Sequence, residues 1–239
     1  MENLPTLLSF GAAGWGDELL AGVGVTLALA LATLPLGLGL GLAVTLAKAS
    51  RRRSLRAFGE AYTTVFRGLP ELLTIVVVYY GGQILLNAAL ARIAPGTSVQ
   101  IGGFAAGVAA LALVFGAFAS EAMLGALHGL PRGQMEAAAA LGLPPSTAFR
   151  LVALPQLWRL ALPGLSNCWL VLLKDTSLVS VIALTDLMRQ TTVAAGATKQ
   201  PFIFYLVACL AYLALSLLSG RVSDWLQRRA DRGMATAGR

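Results

Sequence analysis

The stretch Glu136–Pro155, "EAAAALGLPPSTAFRLVALP", decides how this chain is read, because it interrupts a sequence that is otherwise mostly apolar. It opens on an acidic residue, runs through four alanines, turns at Gly142 with Pro144 and Pro145 behind it, and closes at Leu154-Pro155. Alanine is the strongest helix former, so the segment through "RGQMEAAAAL" is locally helical. Pro131 suits a first helical turn, Gly142 suits a left-handed C-terminal cap, and the two prolines prevent continuation. Ser146 or Thr147 is placed to cap a second helix, "AFRLVAL". Leu154 precedes a proline and is expected to leave helical geometry. The outcome is a small rigid helix–turn–helix with a small-residue face. On residue chemistry alone two readings fit: a helical linker returning to the membrane, or a docking element that a partner approaches closely.

Around this stretch the composition is that of a membrane protein. The chain has 239 residues, 57% hydrophobic and 12% charged, whereas a soluble domain carries about 25% charged residues. The apolar residues come in long blocks, which points to an all-α polytopic membrane protein in a single domain, 1–239. The net charge of +7 sits beside those blocks rather than in aromatic-interleaved basic tracts, so it reports topology and not nucleic-acid binding. Cys168 and Cys209 lie inside apolar blocks with no metal-ligand spacing, and the single His128 rules out a histidine-built metal site. The N-terminal segment lacks the basic region of a cleavable signal peptide, so the first block is expected to stay as a span.

The spacing predicts about five transmembrane helices, near 21–47, 71–91, 101–127, 164–184 and 202–220, with 131–159 as a cytoplasmic loop. In the first block Pro35 is expected to bend the helix, and Gly37, Gly39 and Gly41 allow close helix approach. The run 58–93 is too long for one straight span, and "RGLPE" marks a lead-in helix, a kink and then the span. The tail after 220 is amphipathic at first and then expected to fray. Lysine and arginine alternate between loops. Lys48, Arg51, Arg52, Arg53 and Arg56 follow the first span, and Arg92 alone follows the second. Arg132, Arg150 and Arg159 follow the third, and five arginines occupy the tail. This places the N-terminus outside and the C-terminus in the cytoplasm, so the opening stretch faces the cytoplasm.

The spacing Glu-Ala-Ala, three residues, Gly, nine residues, Val, one residue, Leu-Pro resembles the coupling loop of binding-protein-dependent ABC importer permeases, with Val152 where isoleucine is usual. The likeness covers nearly the whole chain. "YTTVFRGLPELL" (62–73), "GQMEAA" and "LKDTSLVSVIALTDL" (173–187) resemble polar amino acid permeases. "YYGGQILLN" (79–87) points to the histidine/lysine/arginine/ornithine and opine permeases. One departure stands out: Leu124 occupies the place where the family pattern has arginine after its glutamate, here Glu121. The resemblance implies a type I importer permease fold in the bacterial inner membrane. It implies that Glu136, Ala137, Ala138 and Gly142 contact a separate ATP-binding subunit, with Leu154 and Pro155 fixing the exit to the membrane. It further implies a second permease chain, a paralogue in a heterodimer or else an identical copy, and a periplasmic substrate-binding protein. Basic amino acids or opines are the substrates it suggests. No cofactor is expected on this chain, and Mg-ATP belongs to the partner ATPase, since no Gly-x-x-x-x-Gly-Lys-Ser/Thr loop is present.

Charges within apolar blocks are candidates for the substrate path, because burying them is costly. Arg67, Glu71, Glu121 and Asp175 qualify, each against a plainer role. Arg67 beside the kink suits pairing with a carboxylate more than ligand contact. Glu71 suits a cationic substrate group equally with capping or pairing to Arg67. Glu121 is a family feature across substrates and so reads as structural. Asp175 could meet a positive substrate group or pair with Lys174, while Tyr79 and Tyr80 suit packing or interface roles. An ion-coupled secondary transporter is the alternative, but it favours more spans and an internal repeat. A membrane enzyme needs a nucleophile or metal constellation that the sequence lacks.

Overall fold

The computed structural model describes residues 4–11, 14–94, 96–182 and 184–231. After a single helical turn, Leu4–Leu7, eight helices follow: α1 (Gly16–Ala49), α2 (Arg53–Gly68), α3 (Glu71–Ile93), α4 (Gly103–Gly129), α5 (Arg132–Ala140), α6 (Pro145–Ile182), α7 (Leu187–Thr198) and α8 (Pro201–Asp231). Five of these, α1, α3, α4, α6 and α8, are long and apolar enough to cross a membrane.

α4 forms the centre. About 67% of its most apolar window is buried, against 11% in α3 and in α8, so those two helices turn most of their apolar surface outward. Leu29 of α1, Leu111 and Phe115 of α4 and Leu165, Leu172 and Val179 along α6 make the main core. Close packing of α1 on α4 depends on small residues. A Cβ at Gly37 would overlap the Phe115 ring, and one at Gly41 would sit 3.1 Å from the Gly116 carbonyl oxygen. Gly39 faces open space and takes no part. α1 runs unbroken through Pro35.

The kink expected at "RGLPE" is present. α2 ends at Gly68, Leu69 is extended at ψ 144°, and α3 starts directly after Pro70. The proline ring clashes with a helical conformation of the residue before it, which ends α2 at this point. α2 is strongly amphipathic, unlike its successor, and packs against α1 and α4.

Two expectations fail, and a third element is longer than its expected span. Leu154 is helical (φ −58°, ψ −47°), and Pro155 lies inside a continuous helix from Pro145 to Ile182. The chain widens to a π-helical turn over Phe149–Ala153, which contains Leu151, the residue whose carbonyl the Pro155 ring would otherwise strike. The cap expected from Ser146 or Thr147 is also absent. Pro144 precedes the helix and Pro145 is its first residue, a position where the missing N–H costs nothing. Past the span expected at 202–220, α8 continues as helix to Asp231, in keeping with the amphipathic start expected of the tail, and is tied to α6 by Arg159 and Asp231 at 3.0 Å. The fraying expected further on, with Arg232 and Arg239, lies outside the described residues.

α7 was not anticipated. Asp186 starts it, with Oδ1 accepting from the Arg189 N–H at 3.0 Å, while Thr26 of α1 accepts from the Leu187 N–H at 3.2 Å. Leu187, Ala194 and Ala195 bury against Leu19 of α1 and Phe204 of α8. Asp186 is fully buried, and burial pushes its carboxyl up to about 6 from 3.8, against the lowering effect of the Arg189 and Met188 N–H groups.

Candidate functional site: a helical loop and an intramembrane cavity

The loop between α4 and α6 is built around one residue. Gly142 has φ +77°, the left-handed conformation that favours glycine. Its N–H donates to the Ala139 carbonyl at 3.0 Å, and the Leu143 N–H donates to the Ala138 carbonyl at 3.1 Å. This pair of bonds is the Schellman arrangement, which satisfies carbonyls at the end of α5. The two limbs of the loop then close on alanines: Ala138, Ala148 and Ala153 are 3%, 2% and 2% exposed. Gln156 Nε2 donates across to Gln134 Oε1 at 3.4 Å. The small residues therefore serve two purposes. Ala138 packs inside the loop, whereas Glu136, Ala137 and Gly142 face outward, as do Leu154 and Pro155 on the second limb. Leu141, 82% exposed at the tip, was missed in the sequence, although an apolar residue beside a turn glycine marks it.

The intramembrane charges fall into two groups. Glu121 of α4 accepts from Lys48 of α1, whose ammonium also donates to Thr63 Oγ1 at 3.2 Å. Arg67 of α2 approaches the other Glu121 oxygen at 3.8 Å and lies over the Phe118 ring, 5.4 Å from its centroid. Arg67 thus finds its carboxylate in Glu121 and not in Glu71. Glu71 stands in the first turn of α3, where the helix dipole favours it, and makes no ion pair among the described residues. Lys174 and Asp175 form no salt bridge with each other.

Asp175 lines a cavity of about 130 Å³ between α4 and α6, together with Phe115, Phe118, Asn167 and Cys168. Asn167 and Cys168 were not singled out in the sequence; the polar break "SNC" inside an apolar block was the available signal. The walls are apolar except at these groups, so a cationic head group entering here would meet a carboxylate in a low-dielectric setting. Tyr79 packs against the main core and Tyr80 faces outward at 54% exposure.

Comparison with known proteins bears on both places. Residues 36–234 match the family described as "Binding-protein-dependent transport system inner membrane component". The chain is 43% identical over 234 residues to the nopaline transport system permease protein of Agrobacterium fabrum, covering 96% of this chain and 98% of the relative. It is 41% identical over 197 residues to the arginine ABC transporter permease protein of Escherichia coli, covering 77% and 83%. Among solved structures, an amino acid ABC transporter crystallised with histidines superposes with a TM-score of 0.77 at 29% identity, covering 90% of this chain and 95% of that one.

Proposed function

The chain belongs to the binding-protein-dependent transport system inner membrane components, and from that membership we propose how its parts work. It is the permease subunit of an amino acid or opine ABC importer, a multi-pass protein of the bacterial inner membrane and a transporter rather than an enzyme. Such an importer works with ATP-binding and substrate-binding partners. In our reading the Glu136–Pro155 loop faces the cytoplasm and seats on an ATP-binding subunit, which holds Mg-ATP and drives the cycle. The observation that carries this is the loop's construction: a rigid turn set by Gly142, closed internally on buried alanines, that presents Glu136, Ala137 and Leu141 outward. A mere linker needs no such internal closure.

Basic amino acids or opines are the substrates, in keeping with the names of the relatives. Asp175 in its mostly apolar cavity, and Glu71 at the start of α3, are carboxylates without an ion pair among the described residues, and each suits a cationic substrate group. The outward-turned apolar faces of α3 and α8 suit a second permease chain as well as lipid, and we place a paralogue there in a heterodimer. The N-terminus lies outside and the C-terminus in the cytoplasm, following the basic loops.

The test is purification of the tagged chain from its native membrane in mild detergent, with identification of what accompanies it. An ATP-binding subunit in fixed ratio, lost on Glu136→Lys while the chain still inserts, is the expected result. Recovery of the chain alone, with uptake driven by an ion gradient, would refute the reading in favour of a secondary transporter.

A further inference from the structure

A second cavity, of about 460 Å³, lies between α1, α2 and α4 and differs in character from the first. Its volume falls in the range of about 300–1,000 Å³ usual for small-molecule sites. α2 contributes Glu60, Thr63, Thr64 and Arg67 to it, the i, i+3, i+4, i+7 stripe of one helix face. Lys48 and Glu121 complete the charged lining, giving two cations and two carboxylates.

These charges are not equally engaged. Lys48 and Glu121 satisfy each other, and Lys48 also holds Thr63. Arg67 touches Glu121 only at 3.8 Å, with its side chain 45% exposed, so most of its donors are unused. Glu60 makes no ion pair among the described residues. The two underused groups are opposite in sign and two helical turns apart, about 10.5 Å of rise along α2. Both line the same cavity with Thr63 and Thr64, and its volume leaves room for one small dipolar molecule between them. A free α-amino acid carries a carboxylate and an ammonium on adjacent atoms and matches this pair whatever its side chain. The Phe118 ring lines both cavities, so the polar pocket adjoins the Asp175 cavity. Lys48 in the last turn of α1 puts the pocket at the end of the span beside the basic loop.

We propose that the pocket framed by Glu60, Thr63, Thr64 and Arg67 is an exit subsite on the cytoplasmic side of the path, which binds the α-ammonium and α-carboxylate of the transported amino acid. It rests on the importer reading above. The two sites divide the work: Asp175 meets the charged side chain, and the inner pocket meets only the groups that all amino acids share.

The experiment uses the complete transporter in lipid nanodiscs, without ATP or binding protein, and L-alanine as a probe that lacks a basic side chain. Alanine should bind. N-acetyl-L-alanine, without the ammonium, and L-alaninamide, without the carboxylate, should bind at least about tenfold more weakly, the loss of one charged hydrogen bond. Glu60→Gln should weaken alanine by a similar factor. Glu60 is exposed and without an ion-pair partner among the described residues, so this change leaves packing intact; Glu60→Lys should abolish binding. Equal affinity of alanine and its blocked derivatives, no response to Glu60→Gln, or occupation of the pocket by phosphatidylglycerol instead would each overturn the proposal. ATP-driven arginine uptake by the wild-type complex separates the two levels. Intact uptake with no alanine binding overturns the subsite alone, and absent uptake with no ATP-binding subunit overturns both.

Discussion

Replacing Gly142 with alanine isolates the conformational part of the proposed docking loop from its contacts. The residue sits at φ +77°, and a Cβ added there meets nothing within 4 Å. No packing term therefore enters, and the cost is that of holding an L-residue in the left-handed region, roughly 1–2 kcal/mol. α5 has only nine residues and is too short to persist on propensity alone, so its last turn depends on the two bonds that the Gly142 conformation permits. A loss of that size lowers the ratio of closed to open turn by about 5–30-fold. If an ATP-binding subunit seats on the closed turn, its apparent affinity falls with the fraction closed, by at most the same factor. The assay is binding of the ATP-binding subunit to the permease in nanodiscs, with uptake in proteoliposomes beside it. Asparagine tolerates the left-handed region better than alanine, and a β-branched residue tolerates it worse. The expected order is therefore glycine, asparagine, alanine, valine. Wild-type affinity in Gly142→Val would refute the reasoning, and so would an asparagine variant weaker than alanine, because backbone geometry could then not be the cause.

Leu141→Ser removes the most exposed apolar side chain of the loop without touching its hydrogen bonds, and should weaken ATPase-subunit binding by about tenfold or more while thermal stability stays the same. Glu71→Gln or Asp175→Asn should reduce uptake of cationic substrates more than of neutral ones; an equal effect on both would leave these carboxylates with a structural role. Asp186→Asn tests the buried cap through pH. The native carboxyl titrates near 6 against 3.8 when unfolded, so its contribution is most favourable below about pH 4 and is lost as pH rises to 6. At about 1.4 kcal/mol per pH unit this amounts to about 3 kcal/mol, and asparagine, which also caps, does not lose it. Thermal denaturation should show the variant gaining on wild type between pH 4 and 6 and then running parallel.

The five spans were legible because membrane helices leave long apolar blocks whose length is fixed by the bilayer. The break at Leu69-Pro70 and the left-handed Gly142 were legible for a different reason: each follows from a local steric rule that needs no knowledge of neighbours. The same rule misled at Leu154-Pro155, because a π-helical turn one step earlier relieved the clash and let the helix continue. α7 escaped notice because its stability comes from burial on α1 and α8, while its own sequence, "LMRQTTVAAGAT", is unremarkable in propensity. Within the site, Glu121 and Asp175 were visible as charges in oil, yet their partners were not. Which lysine or arginine meets Glu121, and that Asn167 and Cys168 share a cavity with Asp175, depends on which faces of four helices meet.

The pairing of Glu121 is of interest because Leu124 departs from the pattern that the chain resembles. In the family pattern an arginine three residues after this glutamate is spaced for an i, i+3 pair within one helix. Here that position is apolar, and the charge of Glu121 is balanced from Lys48 on α1 and Arg67 on α2. A pair within one helix holds only that helix, whereas this arrangement joins α1, α2 and α4 at a single carboxylate. Lys48 is the tighter partner, its side chain 11% exposed. Removing it would leave a half-buried carboxylate with only the distant Arg67, and the cost would be felt across three helices. That junction lines the polar pocket beside α2. With Lys48 committed to Glu121, Arg67 is left as the cation with donors to spare, which is the condition for that pocket to hold a carboxylate from outside the chain.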